Sequence, residues 1–243
     1  MSGMKSSEPL IVKGKRLDGR AVDQLRPIKM EVGVLKRADG SCYYEQGDNK
    51  VMAAVYGPRE VHPRHQEEAT KAIVRYRYNM ASFSVDDRKR PGPDRRSVEL
   101  SKVSRQAIEP LVLTERFPRS AVDVFVEVLQ ADAGTRTAGI NAACLALVDA
   151  GIPMRGLVAA CAAGKVEDTV VLDLNQKEDN FGQADMPVAL WRGGTTLVQM
   201  DGHMTFEEFQ KGYAMARKGC EDILAMMRET LLTQAKKGDG GKE

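Results

Sequence analysis

Val122-Asp123-Val124-Phe125-Val126-Glu127-Val128-Leu129-Gln130-Ala131-Asp132-Ala133-Gly134-Thr135-Arg136-Thr137-Ala138-Gly139 is the stretch on which the fold turns. In its first half, Val122, Val124, Val126 and Val128 alternate with Asp123, Phe125, Glu127 and Leu129, the period-two pattern of a strand. From Ile140 to Ala150 the chain is rich in Ala and Leu, and it closes on Gly151 and Pro153, a helix stop. A strand therefore gives way to a helix near Gly134-Thr135-Arg136. Such a turn at a helix N-terminus presents free backbone N–H groups, a hydroxyl and a guanidinium to an anion, a set suited to phosphate.

Outward from this point, Arg26 to Leu35 and Cys42 to Tyr56 read as strands, the second broken by a hairpin turn at Gly47-Asp48-Asn49. Val74, Tyr76 and Tyr78 alternate with Arg75, Arg77 and Asn79 as another strand, and a Pro-rich loop from Asp86 to Asp94 leads into a helix from Arg95 to Leu113. Beyond the central helix, Leu157 to Ala163 and Thr169 to Leu174 read as a strand pair. Strands near Ala184 to Leu190 and Thr195 to Met200 follow. Thr205 with Glu208 is a capping-box signature. Behind it Phe206, Phe209, Tyr213, Ala216, Cys220, Ile223, Met227 and Leu231 recur at spacings of three and four, marking a long amphipathic terminal helix. Strand groups mixed with a few helices make an α+β architecture. The ends, residues 1–12 and 234–243, read as tails around one catalytic domain over residues 13–233.

The 243 residues suffice for a real core, and 42% hydrophobic with 29% charged residues excludes a disordered chain. The longest apolar run, Ala142 to Val148, is too short for a bilayer, and the polar N-terminus lacks a signal-peptide core. Cys42, Cys144, Cys161 and Cys220 are widely spaced with no CxxC pair, as expected of reduced thiols in a cytoplasmic protein. Three histidines weaken any histidine-based metal site or triad. The net charge of +2 excludes a general polyanion binder, but the basic residues cluster. Arg59, Arg64, His65, Lys71, Arg75 and Arg77 form one group, and Arg88, Lys89, Arg90, Arg95 and Arg96 another, which fits a local nucleic-acid groove.

Asp94 as an N-cap would put Arg95 and Arg96 in the first turn of their helix, as Arg136 lies in the first turn of its own. Cations there oppose the helix dipole by roughly 0.3–1 kcal/mol each when exposed. Two readings stand: the arginines await an anion, or Asp94, Asp132 and Glu99 neutralise them. The acidic segment Glu178-Asp179-Asn180-Phe181-Gly182-Gln183-Ala184-Asp185 places Asp179 in a loop and Asp185 at the mouth of the next strand. It is either a solvated turn or a carboxylate pair able to hold a divalent cation or supply a general acid. Arginines for phosphate beside an acidic pair are what phosphoryl transfer requires. Val61-His62-Pro63-Arg64-His65-Gln66 is equally a grip on an RNA backbone or an ordinary loop. Tyr76 and Tyr78 either stack on bases or face a core, and Trp191 reads as packing.

Lys15-Arg16-Leu17-Asp18-Gly19-Arg20 followed by Asp23-Gln24-Leu25-Arg26-Pro27 resembles the opening of the RNase PH family. Gly92-Pro93-Asp94-Arg95-Arg96-Ser97-Val98-Glu99-Leu100-Ser101, the Asp132-to-Thr137 segment, and Glu178-Asp179 through Ala184-Asp185 match its signature blocks in order. The match runs from Lys13 to Leu231. Val55-Tyr56-Gly57-Pro58-Arg59-Glu60 with His62-Pro63-Arg64-His65 is similar to the active ring subunit of the archaeal exosome. The resemblance implies a ribosomal-protein-S5-domain-2-like fold and a 3′-to-5′ exoribonuclease that uses inorganic phosphate as co-substrate and releases nucleoside diphosphates. By the same resemblance Gly134, Thr135, Arg136 and Arg96 bind phosphate, and Arg95 and Arg96 bind the RNA phosphates. Asp185 is then the principal acid with Asp179 beside it, the pair able to hold Mg2+, while Arg64, His62 and His65 guide single-stranded RNA. It further implies a non-catalytic paralogue alternating with this chain in a six-membered ring, a trimer of heterodimers, capped by proteins with S1 or KH domains. The rival readings are a homohexameric tRNA-trimming RNase PH and a non-catalytic RNA-binding or scaffold subunit; intact Asp185, Thr135 and Arg136 count against the second only.

Overall fold

A computed structural model describes residues 9–12, 14–87 and 89–239, with side chains through Lys236. Arg88, one of the basic cluster, and most of the N-terminal tail lie outside the described residues. A short ribbon, β1 (Ile11–Val12) with β2 (Lys15–Arg16), precedes two five-stranded sheets. The first contains β3 (Ile28–Val32), β4 (Gly40–Gln46), β5 (Asn49–Glu60), β6 (Ile73–Met80) and β7 (Ser120–Gln130) in the order β3-β4-β5-β7-β6. The β6–β7 pair is parallel, its crossover made by helix α1 (Arg95–Ile108), and the other pairs are antiparallel. Helix α2 (Thr135–Asp149) leads from β7 towards β8 (Val158–Val166) and β9 (Thr169–Leu172) of the second sheet. A short helix α3 (Gln176–Phe181) comes next. Then β10 (Ala184–Trp191), β11 (Gly194–Val198) and β12 (Asp201–Gly202) complete a sheet ordered β11-β10-β8-β9, with β12 on β10, and helix α4 (Phe206–Asp239) packs across it.

The valine alternation is answered on β7, where Val122, Val124, Val126 and Val128 are all buried. Helix α2 has no polar face, because it is wedged between the sheets and touches β4, β5 and β7 on one side and β8 on the other. Its Ile140, Leu145 and Leu147 are fully buried, so truncating one would cost about 2–5 kcal/mol. Asn141, a polar residue at its centre, is satisfied on both sides: its amide donates to Tyr44 Oη and to the Ala160 carbonyl, and it accepts from Ala160 N–H. The buried core is continuous across both sheets. Burial pushes all four thiols well up, those of Cys144 and Cys220 to about 12, leaving four poor nucleophiles.

Several boundaries differ from expectation: β5 runs on to Glu60 and β8 to Val166, and buried Leu10 and β1 lie within the expected N-terminal tail. Helix α1 stops at Ile108, since Pro110 cannot continue the hydrogen-bond ladder, and 3-10 turns carry the chain to Arg116. Helix α4 continues to Asp239, past Gln234 where the C-terminal tail was expected to begin.

Candidate active site

The site assembles where the first sheet, the second sheet and the N-termini of three helices meet. At the end of β7 the chain turns through Ala133 (φ 52°) and Gly134 (φ 65°), both left-handed, and Gly134 becomes the N-cap of α2. A left-handed Ala costs roughly 1 kcal/mol or more, and its surroundings hold it there. Asn49 donates to the Ala133 carbonyl and accepts from the Asp132 N–H, while Arg26 donates to the Asp132 carbonyl. A Cβ on Gly134 would meet Arg26 Nη2 at 3.3 Å. The first N–H groups of α2 have no partner within the helix, and its first side chains are buried Thr135 and half-buried Arg136. Gly134, Thr135 and Arg136 stand at the helix N-terminus as expected.

Helix α1 begins beside it. Asp94 is the N-cap, its carboxylate accepting from the Ser97 N–H at 2.6 Å while Ser97 Oγ accepts from the Asp94 N–H at 2.8 Å. That backbone hydrogen bond draws the Asp94 carboxyl down to about 2. Arg95 and Arg96 occupy the first turn, exposed. Tyr78 of β6 ties the two helix starts together. Its N–H donates to Ser101 Oγ of α1 at 2.9 Å, and its buried hydroxyl donates to Thr135 Oγ1 of α2 at 2.7 Å. Tyr76 and Tyr78 are therefore core residues, not stacking platforms.

Two of the three carboxylates named as neutralisers of the arginines are engaged elsewhere, and exposed Glu99 makes no ion pair within 4.0 Å among the described residues. Asp94 is spent on its cap and on Lys89 at 3.1 Å, and Asp132 pairs with Arg26 at 3.0 Å. Among the described residues, Arg95, Arg96 and Arg136 have no carboxylate partner within 4.0 Å. Arg136 instead donates to Gln199 Oε1, and its buried Nε has no partner. Unpaired cations at two helix N-termini are a charge arrangement that an anion completes.

The first part of the acidic segment, through Phe181, is a helix rather than the expected loop, while Asp185 is on the following strand as expected. Asn175 caps α3, accepting from the Glu178 N–H at 3.0 Å while Glu178 reaches back to the Asn175 N–H at 3.0 Å. Glu178 is fully buried, and Arg16 holds both its carboxylate oxygens while also donating to the Leu172 and Asp173 carbonyls. Arg20 and Arg26 close on Asp173 in turn. The opening motif of the chain is thus the anchor of α3, which carries Asp179 on its outer side. Asp185 lies on β10 opposite Asp201 of β12, a cross-strand partner the sequence reading missed. Protein crowds the Asp185 carboxyl, and burial, with Asp179 next and Asp201 adding, pushes it up to about 7 against the pull of Arg136 and Arg96. Asp179 is also raised, by burial first, with Arg96 lowering it and Asp201 raising it. Arg96, Arg136, Asp179 and Asp185 are therefore within electrostatic reach of one another.

The expected RNA-guiding residues are elsewhere. His62, Arg64 and His65 are exposed around a 3-10 turn (Arg64–Gln66) after β5, and Arg64 donates to Glu60 at 2.9 Å. Strand β5 pairs its Lys50 with Gln130 near the phosphate turn and its Glu60 with Ser120 at the other end. The loop thus stands roughly 30 Å away along the sheet at about 3.3 Å per residue. Among the described residues no three His, Cys, Asp or Glu side chains gather as a metal cluster. The donor chemistry of Asp179 and Asp185 nevertheless suits Mg2+: two hard oxygen donors whose mutual repulsion a cation would relieve, as in sites completed by substrate phosphates. No helix among the described residues is long and apolar enough to cross a membrane.

Comparison with known proteins gives the family. The RNase PH family model "3′ exoribonuclease family, domain 1" matches residues 24–153, and "domain 2" matches residues 156–219. The chain is 61% identical over 230 residues to the exosome complex component Rrp41 of Archaeoglobus fulgidus, covering 93% of this chain and 89% of that one. It is 62% identical over 220 residues to that of Pyrococcus furiosus, covering 90% and 88%. It is 60% identical over 219 residues to that of Methanosarcina mazei, covering 90% of this chain but 44% of that longer protein. The crystal structure of rice (Oryza sativa) Rrp46 superposes with a TM-score of 0.80 at 28% identity, over 89% of this chain and 100% of that one. The chain belongs to the RNase PH family of phosphorolytic 3′-to-5′ exoribonucleases.

Proposed function

We propose that this chain is the catalytic subunit of an exosome ring, degrading single-stranded RNA from its 3′ end with inorganic phosphate. The observation that carries the reading is the juxtaposition of two unpaired arginines at two helix N-termini, Arg96 and Arg136, with a carboxyl pushed up to about 7. Phosphate sits on the N–H groups at Gly134 and Thr135, on the Thr135 hydroxyl and on Arg136, with Arg96 shared between it and the RNA. Arg95 and Arg96 hold the 3′-terminal phosphodiester. A phosphate oxygen attacks that phosphorus, the new P–O–P bond forms as the P–O3′ bond breaks, and a nucleoside diphosphate leaves. The departing O3′ takes a proton, and Asp185, protonated up to about pH 7, supplies it. Asp179, with Asp185 in its ionised form, would hold Mg2+, which would neutralise charge on the reacting phosphates; the donor role belongs to the metal-free, protonated Asp185 carboxyl.

The likeness to the Rrp41 proteins and to rice Rrp46 supports a ring shared with paralogues, the non-catalytic one alternating with this chain as a trimer of heterodimers. S1- or KH-domain proteins would cap that ring. Arg64, His62 and His65, at the far end of β5 from the phosphate turn, then serve the path by which RNA enters rather than the chemistry. Four buried, unreactive thiols suit a reducing cytoplasm. The test is the reverse reaction: with ADP and an RNA primer, the assembled enzyme should add a 3′ tail and release phosphate. A ring that degrades RNA but never extends it with ADP would sink phosphorolysis.

A further inference from the structure

The two halves of the site come from segments more than forty residues apart in sequence, and each is fastened separately to the frame. The phosphate turn is held by Asn49 and Arg26, and α3 by the Arg16–Glu178 pair. Among the described residues, Asp132 bonds the turn's Arg26 and the first residue of α3 with its two carboxylate oxygens, alongside the longer route through Arg26 to Asp173. Asp132 Oδ2 pairs with Arg26 Nη1 at 3.0 Å, and Asp132 Oδ1 accepts the backbone N–H of Gln176, the first residue of α3, at 2.9 Å. Arg26 is in turn locked to buried Asp173, which bonds both its guanidinium and its backbone N–H. Asp132 stands two residues before Gly134, and Gln176 three before Asp179. The bridge therefore joins the wall that binds phosphate to the wall that carries the acid.

We infer that Asp132 is a positioning residue of the reaction: it fixes the separation between the phosphate turn and the carboxylates of α3 without touching substrate. The inference rests on the phosphorolytic reading above. In-line displacement needs the attacking oxygen, the phosphorus and the proton donor aligned, and a shift near 1 Å can cost roughly a hundredfold in rate. Phosphate affinity resides in the turn itself, and Arg26 and Asn49 hold that turn when the bridge is cut. The bridge should act on turnover and spare binding.

Gln176 offers a selective cut. It is the first helical residue, where Pro is favoured and its missing N–H breaks no helical bond. Asn175 before it is extended (φ −88°, ψ 174°), as a residue preceding Pro must be. Gln176→Pro thus removes the donor to Asp132 while keeping α3, and Gln176→Ala keeps the donor as control. Both would be assayed in the assembly in which the wild-type chain is active, with RNA and inorganic phosphate, alongside thermal unfolding. We expect Gln176→Ala to match wild type, and Gln176→Pro to lose about tenfold or more in kcat. Its phosphate KM should stay within about twofold and its Tm within about 2 °C of wild type. An unchanged kcat, or a loss that comes with a matching fall in Tm or a rise in phosphate KM, overturns the positioning role. A wild-type ring with no phosphate-dependent turnover would instead refute the parent reading.

Discussion

Tyr78 donates its buried phenolic proton to Thr135 Oγ1 at 2.7 Å, and this bond decides which way the threonine hydroxyl can act. With its oxygen occupied as acceptor, Thr135 keeps its own proton free to donate outward to an anion. Tyr78→Phe removes the bond with little change in shape. It should raise the phosphate KM by about fivefold, with a smaller effect on kcat, and cost about 1 kcal/mol in stability. Phosphate titrations of nucleoside diphosphate release, with chemical unfolding in parallel, would show it. A Phe variant with unaltered phosphate dependence would mean that Thr135 needs no orientation.

Asp185→Asn keeps the side chain's shape and removes the transferable proton. Turnover should fall by about 10²–10⁴, the range for loss of a general acid. RNA retention on a filter should remain near wild type, because Arg95 and Arg96 are untouched. Substantial residual turnover would move the acid elsewhere, with Asp179 the first alternative.

The same carboxyl makes stability depend on pH. Folding raises Asp185 from about 3.8 to about 7, so within that window the folded state binds more protons than the unfolded chain. Stability then falls as pH rises through the window, by an amount on the order of a few kcal/mol. In chelator-treated samples Asp185→Asn should melt with wild type near pH 4 and above it at pH 8. A gap that is constant across the range would contradict the raised acid.

Arg64 follows the end of β5 that is opposite the phosphate turn, and its Glu60 pair is exposed, so its loss costs little stability. Arg64→Ala should weaken binding of long RNA several-fold and flatten its salt dependence, while a very short oligonucleotide is degraded at the wild-type rate. Equal impairment on short and long substrates would place Arg64 in the chemistry.

Much of this was legible in the linear chain because it is local. The alternating valines of β7, the Asp94 cap, the stop after α2 and the Thr205–Glu208 box each carry their signal within a few residues. Gly134-Thr135-Arg136 was readable as an anion turn for the same reason. Helix α3 was not: six residues give no period, and Glu178 is held by Arg16 from 162 positions away. Asp201 was invisible for a related cause, since its place opposite Asp185 depends on the register of β12 on β10. Gly202 beside it offered the one hint, as a Cβ there would strike the Gln183 carbonyl at 2.1 Å. Whether Asp94 and Asp132 neutralise the arginines also lay beyond sequence, because their partners Lys89 and Arg26 are chosen by the fold.

The most direct test of the central claim is the identity of the released nucleotide. The assembled enzyme would be incubated with single-stranded RNA, with and without inorganic phosphate, and the products separated by chromatography. The arrangement of Gly134, Thr135, Arg136 and Asp185 predicts nucleoside 5′-diphosphates with phosphate and no degradation without it. Nucleoside monophosphates, or degradation indifferent to phosphate, would contradict it.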